Sequence, residues 1–391
     1  MSILKTALKT IFQRSFKEPI KIIFWDGDSI QFNGEEPKYV VTFNKSISEE
    51  LLSEDPTLAL AEAYMDGDID IQGDIKDLII SLYSTKDSFI KVKSGILAGL
   101  VSKRNNKKDS IENAQYHYDI GNDFYSLWLD ESMMYSCAYF KSDEDNLKVA
   151  QENKIDYILK KLWIKPGQKL LDIGCGWGEL IIKAAKSYGA KSYGITLSEE
   201  QYKTINKKIK KENLENQVFV KLMDYRDLKN ETFDRVLSIG MLEHVGEGNL
   251  PDYFKKVYEL LVDGGISLVH SITMPNDGAN NIFLNKYIFP GGYVPGVKQI
   301  ITEIAERGFN LLDVESLRRH YGKTLEMWYE NFKSNLYTIR QTKDERFIRM
   351  WTLFLQGCAG SFYSGNIDLH QVLFSKGIND NIPWTREYIY N

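Results

Sequence analysis

The 391 residues leave room for two domains, and 43% hydrophobic against 26% charged residues is the balance of a soluble globular protein. A net charge of −5 carries no overall bias toward nucleic acid, so no nucleic-acid partner is expected. The three cysteines, Cys137, Cys175 and Cys358, are odd in number and far apart, which argues against a disulfide framework and for a reducing compartment.

Residues 1–21 carry Lys5, Lys9, Arg14, Lys17 and Lys21 against one acid, Glu18. Leu4, Leu8, Ile11 and Phe12, with Ala7 between them, recur at helical spacing, which predicts a basic amphipathic helix. Such a helix lies on an anionic membrane surface or packs its apolar face on its own domain, and the pattern alone leaves both open. The cations interrupt any secretory signal, and no apolar run approaches the ~20 residues that cross a bilayer. A cytoplasmic protein is expected. Residues 26–77 are acidic, as in AYMDGDIDIQGDI, and residues 86–108 turn basic with Lys86, Lys91, Lys93, Lys103, Arg104, Lys107 and Lys108. The polar run SKRNNKKDS (102–110) lacks apolar periodicity and reads as a linker, separating a domain 1–105 from a domain 106–391.

From about residue 165 short apolar runs alternate with amphipathic segments. QKLLDIG predicts a strand, and GELIIKAAKSYG a helix closed by Gly189. AKSYGITL is a strand, followed by a helix with Ser198 at its N-cap and Gln201 three residues on. QVFVKLMD and FDRVLSIG are further strands, then a helix through YFKKVYELLV and the strand GISLVHSI. This alternation predicts an α/β fold with a doubly wound, mostly parallel sheet covered on both faces.

The turn LLDIGCGWGEL (170–180) joins the first of these strands to its helix and sets Gly174, Gly176 and Gly178 after Asp172. Glycines there let backbone approach a ligand closely at a helix N-terminus. A dinucleotide fingerprint needs G-x-G-x-x-G and an acid ~20 residues later. Here the spacing is one residue short, and the second strand ends in GITLSEEQ without an acid at its tip. The pattern D-x-G-x-G-x-G instead resembles motif I of S-adenosylmethionine-dependent methyltransferases, with the cluster Asp224-Tyr225-Arg226-Asp227 after the third strand.

Four more stretches, YHYDIGNDFYSLWLDESMMYSCAYF (116–140), SIGMLEHVG (238–246), KYIFPGGYVPG (286–296) and HYGKTLEMWYENF (320–332), together resemble the cyclopropane fatty acid synthases over nearly the whole chain. The resemblance implies a seven-stranded methyltransferase sheet and a smaller N-terminal domain that engages lipid and dimerises. It implies that Tyr135 and Ser136 close over the cofactor, with Gly174, Cys175 and Gly176 beneath its methionine part. Asp172 and Gly178 complete that turn. Thr196, Leu197 and Gln201 match the ribose contacts, and Tyr225 and Arg226 the adenine side. Cys137, Glu243, His270, Ile272 (by backbone) and Tyr321 match the ligands of a bicarbonate ion. Cys358 matches a cysteine sometimes put forward as catalytic, although a nucleophilic thiol has no step in this chemistry. No metal is implied.

The implied reaction converts the cis double bond of an unsaturated acyl chain of a membrane phospholipid into a cyclopropane ring. An alkene is a poor nucleophile, and its attack on a sulfonium methyl leaves a carbocation. A base must then take one proton so that the ring closes, and a small oxyanion held by His, Tyr and backbone donors suits that task. Glu243 beside an anion would be repelled, so it is expected to share a proton with bicarbonate or to orient another ligand. Taken singly, Cys137 also reads as a small buried hydrophobe and His270 or His244 as a core histidine. The implied setting is a homodimer held peripherally on the inner face of the membrane by anionic lipid. Methyl-branch or methylene products, an amine substrate, and a non-catalytic lipid-binding protein of the same fold are the competing readings.

Overall fold

The computed structural model describes residues 3–91, 120–275 and 281–390. The run 102–110, the cations Lys93, Lys103, Arg104, Lys107 and Lys108, and residues 116–119 lie outside the described residues. The chain divides into two units, one of Met1–Val101, Asn281–Ile288 and Leu325–Ile367 and one of Ser102–Asn280, Phe289–Thr324 and Asp368–Asn391. Segments 281–288 and 325–367 thus group with the N-terminal residues, whereas the linear division at 105/106 assigns them to the second domain.

In the first unit the helix Ile3–Ser15 forms as its apolar spacing predicts. Its stripe Leu4, Leu8 and Phe12 is buried in the unit's own core, against β1 (Ile20–Ile23) and β3 (Tyr39–Phe43). With β2 (Ser29–Phe32) and β4 (Ile69–Gln72) these make a four-stranded sheet in the order β2-β1-β3-β4. The apolar face therefore belongs to the core, not to a membrane surface. Lys5 is also withdrawn from that surface: it is buried and paired with Asp26 and, at 2.6 Å, with Asp28. Arg14 and Lys17 stay exposed and Lys9 half-buried.

The acidic middle segment finds its counter-charges far along the chain. On the helix Glu345–Tyr363, Arg346 pairs with Asp66 at 2.6 Å and Arg349 with Asp70 at 3.0 Å. That helix packs on the helix Ile75–Ser84 at Gly360, where a Cβ would stand 2.7 Å from Lys76 O. The Gln356 side chain accepts from Ile75 N–H and so occupies one donor at that helix start.

The second unit is built on β5 (Lys169–Ile173), β6 (Lys191–Thr196), β7 (Val218–Leu222), β8 (Phe233–Ile239), β9 (Leu261–Thr273), β10 (Phe309–Ser316) and β11 (Asp368–Lys376). The sheet order is β10-β11-β9-β8-β5-β6-β7, parallel from β9 to β7, with β11 antiparallel to both neighbours. Alternate residues of the central strands enter opposite layers. Leu170, Leu237 and Leu268 pack with Ile155, Ile158 and Leu180, while Leu171, Val236 and Val269 pack with Tyr253, Phe254 and Val257. Each such side chain contributes ~1.5–3 kcal/mol when fully buried. Both faces being covered explains why these strands read as continuous apolar runs. The chain leaves β5 toward β6 and β7 on one side, and returns through β8 and β9 on the other. Between β5 and β8 the winding reverses, and a crevice opens at the carboxyl ends of the strands.

Candidate active site

At that crevice lies a cavity of about 930 Å³, part of it open to solvent, with Gly174 and Gly176 in its wall. All three turn glycines have positive φ, 85°, 54° and 87° at Gly174, Gly176 and Gly178, which L side chains adopt only with strain. The turn is tied to the neighbouring strand, since Gly174 and Cys175 N–H both donate to Ile195 O at 3.0 Å. The Cys175 side chain faces away, into the core, where β6 carries Gly194. A Cβ on Gly194 would meet Cys175 Sγ at 2.7 Å.

The next wall is polar by design of the chain after β6. Ser198 caps the helix Glu199–Lys211 by accepting from Gln201 N–H at 3.3 Å, as its position predicts. The reciprocal half of a capping box does not form. Ser198 N–H donates instead to Thr196 Oγ1, whose hydroxyl donates to Gln201 Oε1 at 2.6 Å. Gln201 is thereby held with its carbonyl occupied and its NH2 uncommitted among the described residues, in the cavity wall. Past β7, Asp224 accepts from Arg226 Nε at 2.8 Å and from its terminal nitrogen at 2.6 Å, which fixes Tyr225 and Arg226 against the cavity.

A second group gathers at the end of β9. Glu243, in the turn after β8, accepts from Ile272 N–H at 2.6 Å through Oε1. Its Oε2 is buried without a hydrogen-bond partner. Burial raises the Glu243 carboxyl to about 7, against the opposing pull of the Ile272 N–H. His270 faces Gln371 directly across the β9–β11 pairing, with Nδ1 3.2 Å from Gln371 Nε2. With the Gln371 amide donating, the neutral ring carries its proton on Nε2, which is buried and unpartnered. Burial holds the His270 pKa well below the usual histidine range, so the ring stays neutral.

A relay of backbone hydrogen bonds links Ile272 to Cys137 and Tyr321. Ile272 pairs with Leu369, Leu369 O accepts from Leu317 N–H, and Leu317 O accepts from Tyr321 N–H at 3.1 Å. Cys137 Sγ stands 4.0 Å from that same Leu317 O and 3.3 Å from Ala138 O. Cys137 is fully buried, and burial drives its thiol far above the ordinary range, so it is a neutral S–H donor.

The model of the mycolic acid cyclopropane synthetase family matches residues 105–372. The chain belongs to the cyclopropane synthase family. Residues 7–94 match a separate family model described as a domain of unknown function. The cyclopropane-fatty-acyl-phospholipid synthase of Escherichia coli is 39% identical, over 91% of this chain and 93% of its own. A probable fatty acid methyltransferase of Pseudomonas putida is 36% identical, over 96% of this chain and 98% of its own. Among solved structures, the cyclopropane synthase MmaA2 from Mycobacterium tuberculosis aligns with a TM-score of 0.65 and 33% identity, covering 68% of this chain and 98% of that one. The mycolic acid cyclopropane synthase CmaA1 complexed with SAH and CTAB aligns at 0.64, also with 33% identity and covering 68% and 98%. Fold and family make this cyclopropane synthase relative an enzyme of the S-adenosylmethionine-dependent methyltransferase class.

Of the positions that the sequence assigns to cofactor binding in this cyclopropane synthase relative, Gly174, Gly176, Thr196, Leu197, Gln201, Tyr225 and Arg226 line the cavity. Tyr135, Ser136, Asp172, Cys175 and Gly178 do not. Asp172 is buried just before the turn, its Oδ1 unpartnered, and burial raises its carboxyl to about 7. Tyr135 packs on Trp128 and Tyr125, at ring-centroid distances of 5.3 and 5.5 Å. Ile272 N–H, expected from the sequence to meet bicarbonate, donates instead to Glu243 Oε1. Cys358 belongs to the first unit, on the helix Glu345–Tyr363, and burial pushes its thiol up to about 12. The cavity and the Glu243 group are built within the second unit.

The sequence missed Met223, Ile239, Gly240, Met241, Val245 and Pro290 in the cavity wall, and Gln371 behind His270. Ile239, Gly240, Met241 and Val245 stand in the stretch 238–246 and Pro290 in 286–296, both quoted for the resemblance without a role for these residues, and nothing local marks Gln371. His244 does line the cavity, and burial lowers its pKa to about 4.

Proposed function

We propose that this chain adds the methyl carbon of S-adenosylmethionine to the cis double bond of unsaturated acyl chains in membrane phospholipids, closing a cyclopropane ring with bicarbonate in the site. The observation that carries this reading is the pair of buried, orphaned polar atoms, Glu243 Oε2 and His270 Nε2, which do not line the cavity themselves but belong to residues next to its wall, Glu243 beside His244 and His270 paired with Ile239. Buried polar atoms without partners are rare and point to a missing polar group. A small oxyanion suits the donors gathered there, and the relatives at 39% and 33% identity, a cyclopropane-fatty-acyl-phospholipid synthase and a cyclopropane synthase, support the substrate class.

When bound, S-adenosylmethionine supplies an electrophilic methyl carbon and bicarbonate a small base. Gln201 offers its NH2 to ribose hydroxyls, held in aim by Thr196. Tyr225 and Arg226 flank the adenine, and Tyr135 and Ser136 the methionine end. Cys137 S–H, His270 Nε2–H and Tyr321 are the donors for the oxyanion, and Ile272 N–H joins them only when Glu243 Oε1, which accepts from it, moves aside. Burial raises Glu243 to about 7, so a large share of it is protonated near neutral pH, and that form donates from Oε2 where an ionised carboxylate would repel. Docking is peripheral, on anionic lipid at the inner face of the membrane, and the working form is a homodimer. Cys358 carries no step.

The test is purified protein, S-adenosylmethionine and vesicles of unsaturated phospholipid, with lipids read by mass spectrometry and proton NMR. The expected product gains one CH2, loses its olefinic protons and shows upfield ring protons. Gain of CH2 with vinylidene protons would favour a methylene product, and no gain would overturn the reading.

A further inference from the structure

Lys154 sits on the buried face of the helix Leu147–Lys161, between Ala150 and Ile158, and is 2% exposed. Its Nζ donates to Ser136 Oγ at 2.7 Å, and among the described residues no carboxylate lies within ion-pair distance. An ammonium has three donors, and leaving a buried cation with one neutral hydroxyl as its partner is unfavourable. A methionine would fill the same space without that penalty. One turn earlier on the same face, Gln151 Nε2 donates to Ser136 O at 2.9 Å and to Met134 O at 3.3 Å. Asp130 grips the loop from its other end, accepting from Ser132 N–H at 3.1 Å and Met134 N–H at 3.3 Å. The loop 130–136 is therefore fixed in place, and Ser136 Oγ is fixed as an acceptor toward Lys154. Its own proton must point elsewhere.

Asp172, at the mouth of the glycine turn, is the complementary case. It is 3% exposed with Oδ1 unpartnered, and Lys154 is the charge that acts on it. A buried ammonium and a buried carboxyl that do not close on each other, the carboxyl in the strand that leads into the glycine turn, suit a zwitterion whose own charges would complete both. The α-amino-acid end of S-adenosylmethionine is one.

We infer that Lys154 is a positioning residue for the cofactor: it turns the Ser136 hydroxyl outward as a donor and places a buried positive charge behind it, so that this corner receives the carboxylate of the methionine end. This rests on the cofactor assignment made above. Lys154 acts through Ser136 and takes no part in the chemistry.

The experiment compares, by calorimetry, S-adenosylhomocysteine with its decarboxylated analogue, which keeps the adenosine, sulfur and amine. The parent should prefer S-adenosylhomocysteine. Lys154→Met should shrink that preference by about tenfold to a hundredfold, the scale of one hydrogen bond to a charged group, while affinity for the analogue holds. Ser136→Ala, which leaves the ammonium in place and disturbs packing least, should shrink it in the same direction. A preference unchanged in either variant, or both ligands weakened equally, would overturn the role of Lys154. If the parent binds neither ligand, the cofactor assignment itself falls, and the two failures are thus distinct.

Discussion

Glu243 is decided by a contest between burial and the hydrogen bonds that favour its charged form, Ile272 N–H first among them, and burial wins. Its folded pKa of about 7 stands above the ordinary 4.5. The folded state thus holds this proton more tightly than the unfolded chain does. The stability this brings is complete below pH 4.5 and is lost as pH rises toward 7. Asp172 is shifted in the same direction, from 3.8 to about 7, and adds to the same slope. Glu243→Gln keeps an acceptor for Ile272 N–H and removes the titration. Urea unfolding at pH 5 and pH 8 should show the loss of stability between them reduced, by on the order of 3 kcal/mol at most. An unchanged slope would assign the titration to Asp172 alone. The same variant should lose at least ~10²-fold in turnover, the scale of a positioned acid–base group.

At the scale of elements, the glycine turn and β6 form one packed piece. Cys175 is held by the turn, and Gly194 leaves room for its sulfur. Gly194→Ala puts a Cβ 2.7 Å from Cys175 Sγ and 2.8 Å from Ile181 Cδ1. Neither can retreat easily, because both lie in the same buried cluster. The expected cost is ~1–3 kcal/mol in thermal or denaturant unfolding, as for overpacked cores. Affinity for S-adenosylhomocysteine should fall as well, since the turn must move. Adding Cys175→Ala should restore part of the stability. If the double variant is no better than Gly194→Ala, the sulfur is not what the glycine accommodates.

On the scale of the whole molecule, a net charge of −5 leaves the proposed docking on anionic lipid to local patches. The first helix offers fewer cations than its sequence suggests, because Lys5 is sequestered by Asp26 and Asp28 and the apolar stripe is spent on the core. Arg14, Lys17 and the half-buried Lys9 remain. Changing these three to Gln removes at most roughly 3 kcal/mol of attraction to an anionic leaflet, at ~1 kcal/mol per charge at the surface. Co-sedimentation with anionic vesicles should weaken, and the parent's own binding should fall with salt. Equal pelleting of parent and variant would make these charges a solvated face. Among the described residues no helix is long and apolar enough to cross a membrane.

The sequence by itself determined the features whose cause is local. The strand and helix series from residue 165 follows from periodicity, the Ser198 cap from one hydroxyl at a helix start, and the turn from glycines that accept positive φ. The constellation Cys137, Glu243, His270, Ile272 and Tyr321 was readable as a resemblance, but not its wiring. Only the tertiary structure set Glu243 against Ile272 N–H across 29 residues and His270 against Gln371 across 101. It likewise withdrew Lys5 from solvent, buried Lys154 behind Ser136, and gathered 281–288 and 325–367 with the N-terminal unit. The physical reason is common to all of these. Strand register and long-range packing decide which groups lose water and which find partners, and neither leaves a trace in the local spacing of residues.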